Sequence, residues 1–272
     1  YRSNTYNQTF YADLSLSSGY SNIPIQSGNI MNEGLEMSLG YNKQWKDFSF
    51  NTNYTLTWNK NRVKRLADGV YNYATGQPIQ MPELSPLTYG HTDARLILRV
   101  GGSMGDVYGQ RLLKRDLNGY ILNEEGVGLA MENKETYLGS ILPKMNMGWS
   151  LGFGYNLGMT FTGRFGGIVI SETQSVLDAA GVSKVSADVR DAGGVQINQS
   201  KVSAQTYYQT IQGTAAYYTY SATNVRLGEL SLSYTLPKKW FDNKVGMTVG
   251  LVGKNLWMIY CKAPFDPELT TS

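Results

Sequence analysis

The sequence predicts an all-β protein: part of an antiparallel transmembrane β-barrel, about seven strands, with long loops gathered at one rim. Three observations point there. Run after run alternates apolar or aromatic side chains with small, uncharged polar ones. Several runs reach nine residues, where globular strands average about 5–6 and about 9–11 cross a bilayer at roughly 45° tilt. The links come in two sizes, tight and very long, which is the habit of outer-membrane barrels.

In chain order, FYADLSLS sets Phe10, Ala12, Leu14 and Leu16 against Tyr11, Asp13, Ser15 and Ser17. GLEMSLGYN sets Leu35, Met37, Leu39 and Tyr41 against Glu36, Ser38, Gly40 and Asn42. The link Asn42–Asp47 turns that strand into DFSFNTNYTLTWN as a hairpin. There Phe48, Phe50, Thr52, Tyr54, Leu56 and Trp58 share one face, and Asn51, Asn53, Thr55 and Thr57 lie on the other. KMNMGWSLGFGYNLGMTFTGRFG reads as two strands meeting near Asn156, with Met145, Met147, Trp149, Leu151, Phe153 and Tyr155 on one side of the first. NVRLGELSLSYTLP, taken at strict period two, puts Val225, Leu227 and Glu229 opposite Arg226, Leu230 and Leu232. The link Pro237–Lys244 then leads to VGMTVGLVGKNLW. The long segments Lys60–Lys144 and Gly167–Thr223 fill the other rim. Ser171 with Gln174 forms a capping box ahead of a short helix that stops at Gly181, and KVSAQTYYQTIQ is a second helical candidate.

Composition narrows the function classes. The 272 residues carry 17% charged side chains, against about 25% in soluble domains, with 20 tyrosines and 30 glycines. A mean hydropathy of −0.31 excludes a bundle of membrane helices, yet suits a barrel, where only alternate residues meet lipid. A net charge of +3 gives no footprint for nucleic acid. The dense cluster KNRVKR (Lys60–Arg65) reads as a solvated loop. One cysteine, Cys261, rules out a disulfide framework, and one histidine, His91, read as a loop residue, leaves a histidine metal site or a Ser–His–Asp triad without material. The chain opens at YRSNTYNQTF without a secretory signal, as expected of a processed chain or of part of a longer protein.

The polar faces decide what the apolar ones see. Strands that meet bulk water carry Lys, Glu and Arg. These carry Asn, Ser, Thr and Gly, which suits a hydrated lumen. Phe48, Phe50, Tyr54, Leu56, Trp58, Trp149, Leu151 and Phe153 are therefore assigned to lipid. Trp45, Trp58, Trp149, Tyr155, Trp240, Phe241 and Trp257 are read as aromatics near strand ends, as in interfacial girdles. The competing reading is a soluble or surface-attached β-sandwich that binds glycan.

Catalytic and ligand motifs are sparse. RVGGSMGDVYG lacks both the G-x-G-x-x-G spacing and the Walker lysine. RDLNGYILNEEG fails the calcium-loop order and reads as a β-turn at Leu117–Gly119, with weak Ca²⁺ binding at Glu124 and Glu125 left open. Asp266 and Glu268 of FDPE read as turn residues rather than a glycosidase pair. No catalytic residue, cofactor site or metal site is assigned, and a hydrolase lacks a constellation. Tyr207, Tyr208, Tyr217, Tyr218 and Tyr220 are candidates for contact with a substrate or a lid protein, with loop packing as the alternative.

Several stretches in order carry a family likeness. GNIMNEGLEMSL with DFSFNTNYTLTWNKNRVKRL, YLGSILPKMNMGWSLGFGYNLGMTFTGRFGG, and NVRLGELSLSYTLPKKW followed by GKNLW and FDPE resemble the barrel of SusC/RagA-like TonB-dependent outer-membrane transporters. Lys254 stands where that family commonly shows Arg. The resemblance implies a barrel of about 22 strands, a plug domain and a TonB-contact segment. It also implies a SusD-like surface lipoprotein as partner, and oligosaccharides or peptides as substrate. On this likeness residues 1–272 form the C-terminal part of such a barrel in the outer membrane of a Gram-negative bacterium. Plug, TonB contact and closing strand would fall outside them, and an open sheet in hydrocarbon is not expected to fold alone. Tight turns then face the periplasm. Lys60–Lys144, Gly167–Thr223 and Met258–Ser272 lie outside the cell.

Overall fold

A computed structural model describes residues 1–13, 22–46, 48–66, 71, 76–77, 83–124, 128–154, 156–241 and 244–268. The chain starts with three long strands, β1 (Arg2–Asp13), β2 (Asn22–Gln44) and β3 (Ser49–Arg65). A loop region follows, with β4 (Glu83–Thr88), β5 (Ala94–Arg99), β6 (Asp106–Leu113), the two-residue strands β7 (Asn123–Glu124) and β8 (Gly128–Leu129), and β9 (Met131–Ser140). Strands β10 (Met145–Phe153) and β11 (Leu157–Phe165) come next. The second loop region holds β12 (Ile168–Ile170), α1 (Glu172–Ala179), α2 (Lys184–Asp191), β13 (Val195–Ile197), β14 (Ser200–Val202), α3 (Ala204–Ile211) and β15 (Thr219–Ser221). Strands β16 (Asn224–Thr235) and β17 (Thr248–Cys261) close the chain.

Seven long strands form one antiparallel sheet in the order β1-β2-β3-β10-β11-β16-β17, with β1 and β17 as its edges. The sheet is open, an all-β sector of a barrel. Its tight links (residues 45–48, 154–156 and 236–247) all lie at one end, and the long regions at the other. Asn156 takes φ +62° in the tightest of them, a left-handed position that Asn tolerates better than most residues. No helix among the described residues is long and apolar enough to cross a membrane, which says nothing of strands.

Four expectations change. The first strand begins at Arg2 and ends at Asp13, and Leu14–Ser17 lie outside the described residues. Strand β2 runs on to Gln44, so Phe48 sits in the turn, its ring 5.7 Å from that of Trp45, rather than in the strand. The KNRVKR cluster is strand, because β3 continues through Arg65 with its backbone paired to β2. Trp257 lies within β17, which extends to Cys261; Tyr155 falls outside the described residues.

The loop regions are built structure. Strands β4-β5-β6-β9 form a second antiparallel sheet. Helix α1 is capped as its sequence requires: Ser171 Oγ accepts the Gln174 N–H at 3.1 Å, and Gly181 follows at φ +71°. Helix α3 matches the second helical candidate, and Ser183 caps α2 in the same way. Phe10, Ile30, Val63, Leu66 and Leu98 form a core that fastens the second sheet to the wall. Ala94, Val107, Ile170 and Ala215 fasten it to the helical region. Each large buried aliphatic or aromatic side chain contributes about 1.5–3 kcal/mol, so the loops fold with the wall.

Candidate functional site

The register sorts the wall into two unlike faces. Leu39, Tyr54, Trp149, Phe161, Leu227 and Trp257 are successive cross-strand partners from β2 to β17. One residue along, the row reads Ser38, Thr55, Gly148, Thr162, Arg226 and Met258; on the other side it reads Gly40, Asn53, Ser150, Thr160, Glu229 and Lys254. Side chains alternate across a pleated strand, so a matched register makes one face apolar over six strands. Strand β16 departs from strict alternation. A bulge at Gly228 lets Leu227 and Glu229 face consecutive residues of β11, which brings Leu230, Leu232 and Tyr234 onto the side of Val225 and Leu227. Strict period two would have split that set.

The apolar face is bare and aromatic. Leu39 is 59% exposed and Leu251 74% exposed, and no second sheet covers this face among the described residues. Phe50 packs between Tyr41 at 6.4 Å and Phe153 at 5.5 Å, and Trp149 lies 5.7 Å from Phe161. The Trp149 indole N–H donates to Thr52 Oγ1 at 2.9 Å. Leu56 stands between Met37 and Met147, Trp58 between Leu35 and Met145, and Leu151 opposite Thr52. From Phe50 to Trp58 the strand advances about 26 Å at 3.3 Å per residue, or about 19 Å of thickness at 45° tilt, most of the apolar band of about 25 Å around membrane barrels.

The polar face, by contrast, carries the loops. Ile30 and Val63 belong to it, and they anchor the core shared with the second sheet. Asn61 Oδ1 accepts the Met104 N–H at 2.8 Å, and Asn61 donates to Asn32 Oδ1 at 2.8 Å. Arg164 donates to the Ile141 carbonyl at 3.0 Å. The chain folds onto the side with hydrogen-bonding partners.

At the end of β16 the FDPE segment reaches the same face. The Arg226 guanidinium, 5% exposed, binds Asp266 through two nitrogens at 2.7 and 3.0 Å and approaches Glu268 at 3.4 Å. Asn224, fully buried, donates to Glu268 Oε1 at 3.2 Å. Burial pushes the Asp266 carboxyl upward, but the Arg226 hydrogen bonds, the Glu268 N–H and the Arg226 charge outweigh it and hold the group below its ordinary range. These two carboxylates secure a turn, as their sequence context implies.

The candidate tyrosines divide. Tyr208 and Tyr218 are buried, Tyr218 at 2% exposure, in a core with Leu113, Leu129, Ile197 and Ile211. Tyr207, Tyr217 and Tyr220 are half-buried around the same core. Burial raises the phenol pKa of Tyr207, Tyr208, Tyr218 and Tyr220. In the second sheet, burial and then the neighbouring Asp106, which accepts its hydroxyl at 3.1 Å, push Tyr137 up to about 12.

His91 is a loop residue, but a buried one. Its Nδ1 accepts the Asp93 N–H at 3.1 Å, so Nε2 carries the proton that reaches the Gln212 carbonyl at 2.8 Å. Asp93 accepts the Ala215 N–H at 3.0 Å and lies 3.4 Å from Arg111. This clasp joins the second sheet to the helical region. Its sequence signal was faint: one His two residues before an Asp, with partners more than a hundred residues away. At RDLNGYILNEEG, Asp116 Oδ1 accepts the N–H groups of Asn118 and Tyr120, with Gly119 at φ +85°, which is the expected turn. Glu125 and the Glu124 side chain lie outside the described residues. Among the described residues no three His, Cys, Asp or Glu side chains gather as metal ligands.

An open antiparallel sheet, apolar across one face and polar with folded-in loops across the other, defines a sector of a β-barrel wall. The fold is similar to that in the structure of the RagAB peptide transporter, with 19% identity, a TM-score of 0.67, and coverage of 97% of this chain and 29% of that one. It is likewise similar to the RagAB peptide importer in its open-open state (18% identity, TM-score 0.64, 98% and 29% covered). The closed-closed state gives 17% identity and a TM-score of 0.64, with 98% and 30% covered. The chain thus spans under a third of the length of those chains, and at such identities the likeness is one of fold. No family model matches the chain, and no curated protein matches it in sequence.

Proposed function

We propose that this chain is wall and outer loops of a SusC/RagA-like, TonB-dependent nutrient importer of the outer membrane. It would work with a SusD-like lipoprotein and admit oligosaccharides or peptides. The observation that carries the reading is the continuous apolar face, bare over six strands, set against a polar face onto which both loop regions fold. The motif resemblance and the fold shared with a peptide transporter agree with it. In this reading the apolar face meets acyl chains, and Asn51, Asn53, Thr55 and Ser150 line a wet interior. The loop regions form the outer vestibule, where the half-buried Tyr207, Tyr217 and Tyr220 are placed to stack on ligand or pack under the lid protein. The chain performs no catalytic step and needs no cofactor; coupling to TonB and the plug belong to other parts of the protein.

The test is uptake of labelled peptides and oligosaccharides by cells with and without the protein. Loss of uptake of one ligand class on deletion, restored by the intact gene, supports the reading. Unchanged uptake of both classes, or recovery of the protein from the soluble fraction, removes it.

A further inference from the structure

Above Trp58 the wall parts. Strands β3 and β10 pair from Phe50↔Phe153 to Trp58↔Met145, and the last contact is the Asn59 N–H on the Lys144 carbonyl at 3.1 Å. Beyond it β3 leaves β10 and binds the glycine turn instead, with Val63 exchanging 2.8 Å hydrogen bonds with Gly101 and Gly102. The gap is a cavity of about 700 Å³ whose lining includes Trp58, Lys60, Arg62, Asp106, Tyr137 and Lys144. Trp58, Lys60 and Arg62 alternate along β3 on the same side as Phe50, Tyr54 and Leu56, so this part of the cavity looks outward with the apolar face.

Charge in the gap is uneven. No ion pair joins Lys60, Arg62 or Lys144 to a carboxylate among the described residues. Asp106, in the lining, already accepts the Ser103 N–H at 2.8 Å and the Tyr137 hydroxyl at 3.1 Å. Glu33 stands opposite Lys60 on β2, outside the lining. Lys60 and Arg62 lie about 7 and 13 Å along the strand from Trp58, or about 5 and 9 Å in height at 45° tilt, which is headgroup depth.

Resting on the membrane reading above, we propose that this notch binds the phosphate groups of a phosphorylated glycolipid in the outer leaflet. Cations clustered next to a membrane's apolar zone attract anionic headgroups, and a guanidinium grips phosphate through two parallel hydrogen bonds. Alternation puts the Lys60 and Arg62 stems on the side of the apolar face, from which such long side chains carry their charged ends to the headgroup layer, and Lys144 adds its charge to the lining. A freely diffusing phosphate would gain nothing from the adjoining Trp58 and Leu142, whereas a lipid's chains continue down that face.

The protein extracted from membranes in mild detergent is the material for the test, with bound lipid A counted by native mass spectrometry. Wild type should retain lipid A and not its enzymatically dephosphorylated form, and millimolar inorganic phosphate should not displace it. The Lys60→Gln/Arg62→Gln/Lys144→Gln variant should retain on the order of a hundredfold less, as expected when roughly a kilocalorie is lost at each of three cations, with unchanged heat-modifiable migration as the folding check. Equal retention of the dephosphorylated lipid, full displacement by free phosphate, or undiminished binding by the folded variant would overturn the proposal. If the variant does not fold, the wild-type comparison alone decides. A protein that inserts in the membrane yet ignores lipid phosphate defeats this inference only; one absent from the membrane defeats the function reading as well.

Discussion

Arg226 and His91 show how single side chains hold the loops to the wall and to one another. Arg226 is buried among acceptors, so removing it strands Asp266 rather than merely deleting a contact. We expect Arg226→Met to cost about 3 kcal/mol in the local stability of the segment after β17, read as lost hydrogen-exchange protection around Ala263 and Phe265. Acid should act on the same segment. A carboxyl held below its unfolded value contributes stability that is present above about pH 4 and lost as pH falls through the lowered folded value. Protection that stays constant down to pH 2 would contradict this. His91→Phe keeps the ring beside Tyr218, 6.4 Å away and nearly parallel, but removes both hydrogen bonds. The unsatisfied Gln212 carbonyl and Asp93 N–H should cost about 1–3 kcal/mol each. Exchange should speed up together near residues 89–94 and 211–215, leaving β10 and β11 protected.

Among the elements, β16 teaches most. Its residues mix two apolar sets that strict alternation assigns to opposite faces, and the bulge at Gly228 reunites them. Bulges arise from pairing with neighbours, in this case β11 and β17, so a single strand read alone cannot reveal one. Deleting Gly228 should turn Leu230, Leu232 and Tyr234 to the polar side, or force β16 out of register with β17. The expected outcome is loss of heat-modifiable, protease-resistant protein in membrane fractions; normal amounts of it would show that the bulge is dispensable. The simpler strands β2, β3, β10 and β11 were legible because their alternation is unbroken over Leu35–Tyr41, Phe50–Trp58, Met145–Phe153 and Leu157–Phe165. Of the helices among the described residues, α1 was legible from its capping box, and α3 falls within the second helical candidate. The third, α2, has an unremarkable KVSADVRD sequence and depends on its Ser183 cap and on packing with α3.

For the whole molecule, what matters is which side of the sheet is inside. Tyr54 and Asn53 are neighbours near the middle of β3 and point to opposite faces. Tyr54→Arg should cost about 2–4 kcal/mol, the penalty for a cation at mid-bilayer on a lipid face, and Asn53→Arg well under about 1 kcal/mol. Membrane-inserted protein at rising urea concentration measures both, and equal effects would remove the assignment of faces. Periodicity along the chain was enough to find the seven wall strands, their two-faced character and the grouping of tight links at one end, because alternation and turn chemistry act between near neighbours. Only the tertiary structure decided that loop segments fold onto the polar face, that the KNRVKR run is wall rather than loop, and that His91, Arg226 and the notch above Trp58 exist as sites. Each of those depends on partners brought together across tens to more than a hundred residues, where the pairing of strands, and no local preference, sets who meets whom.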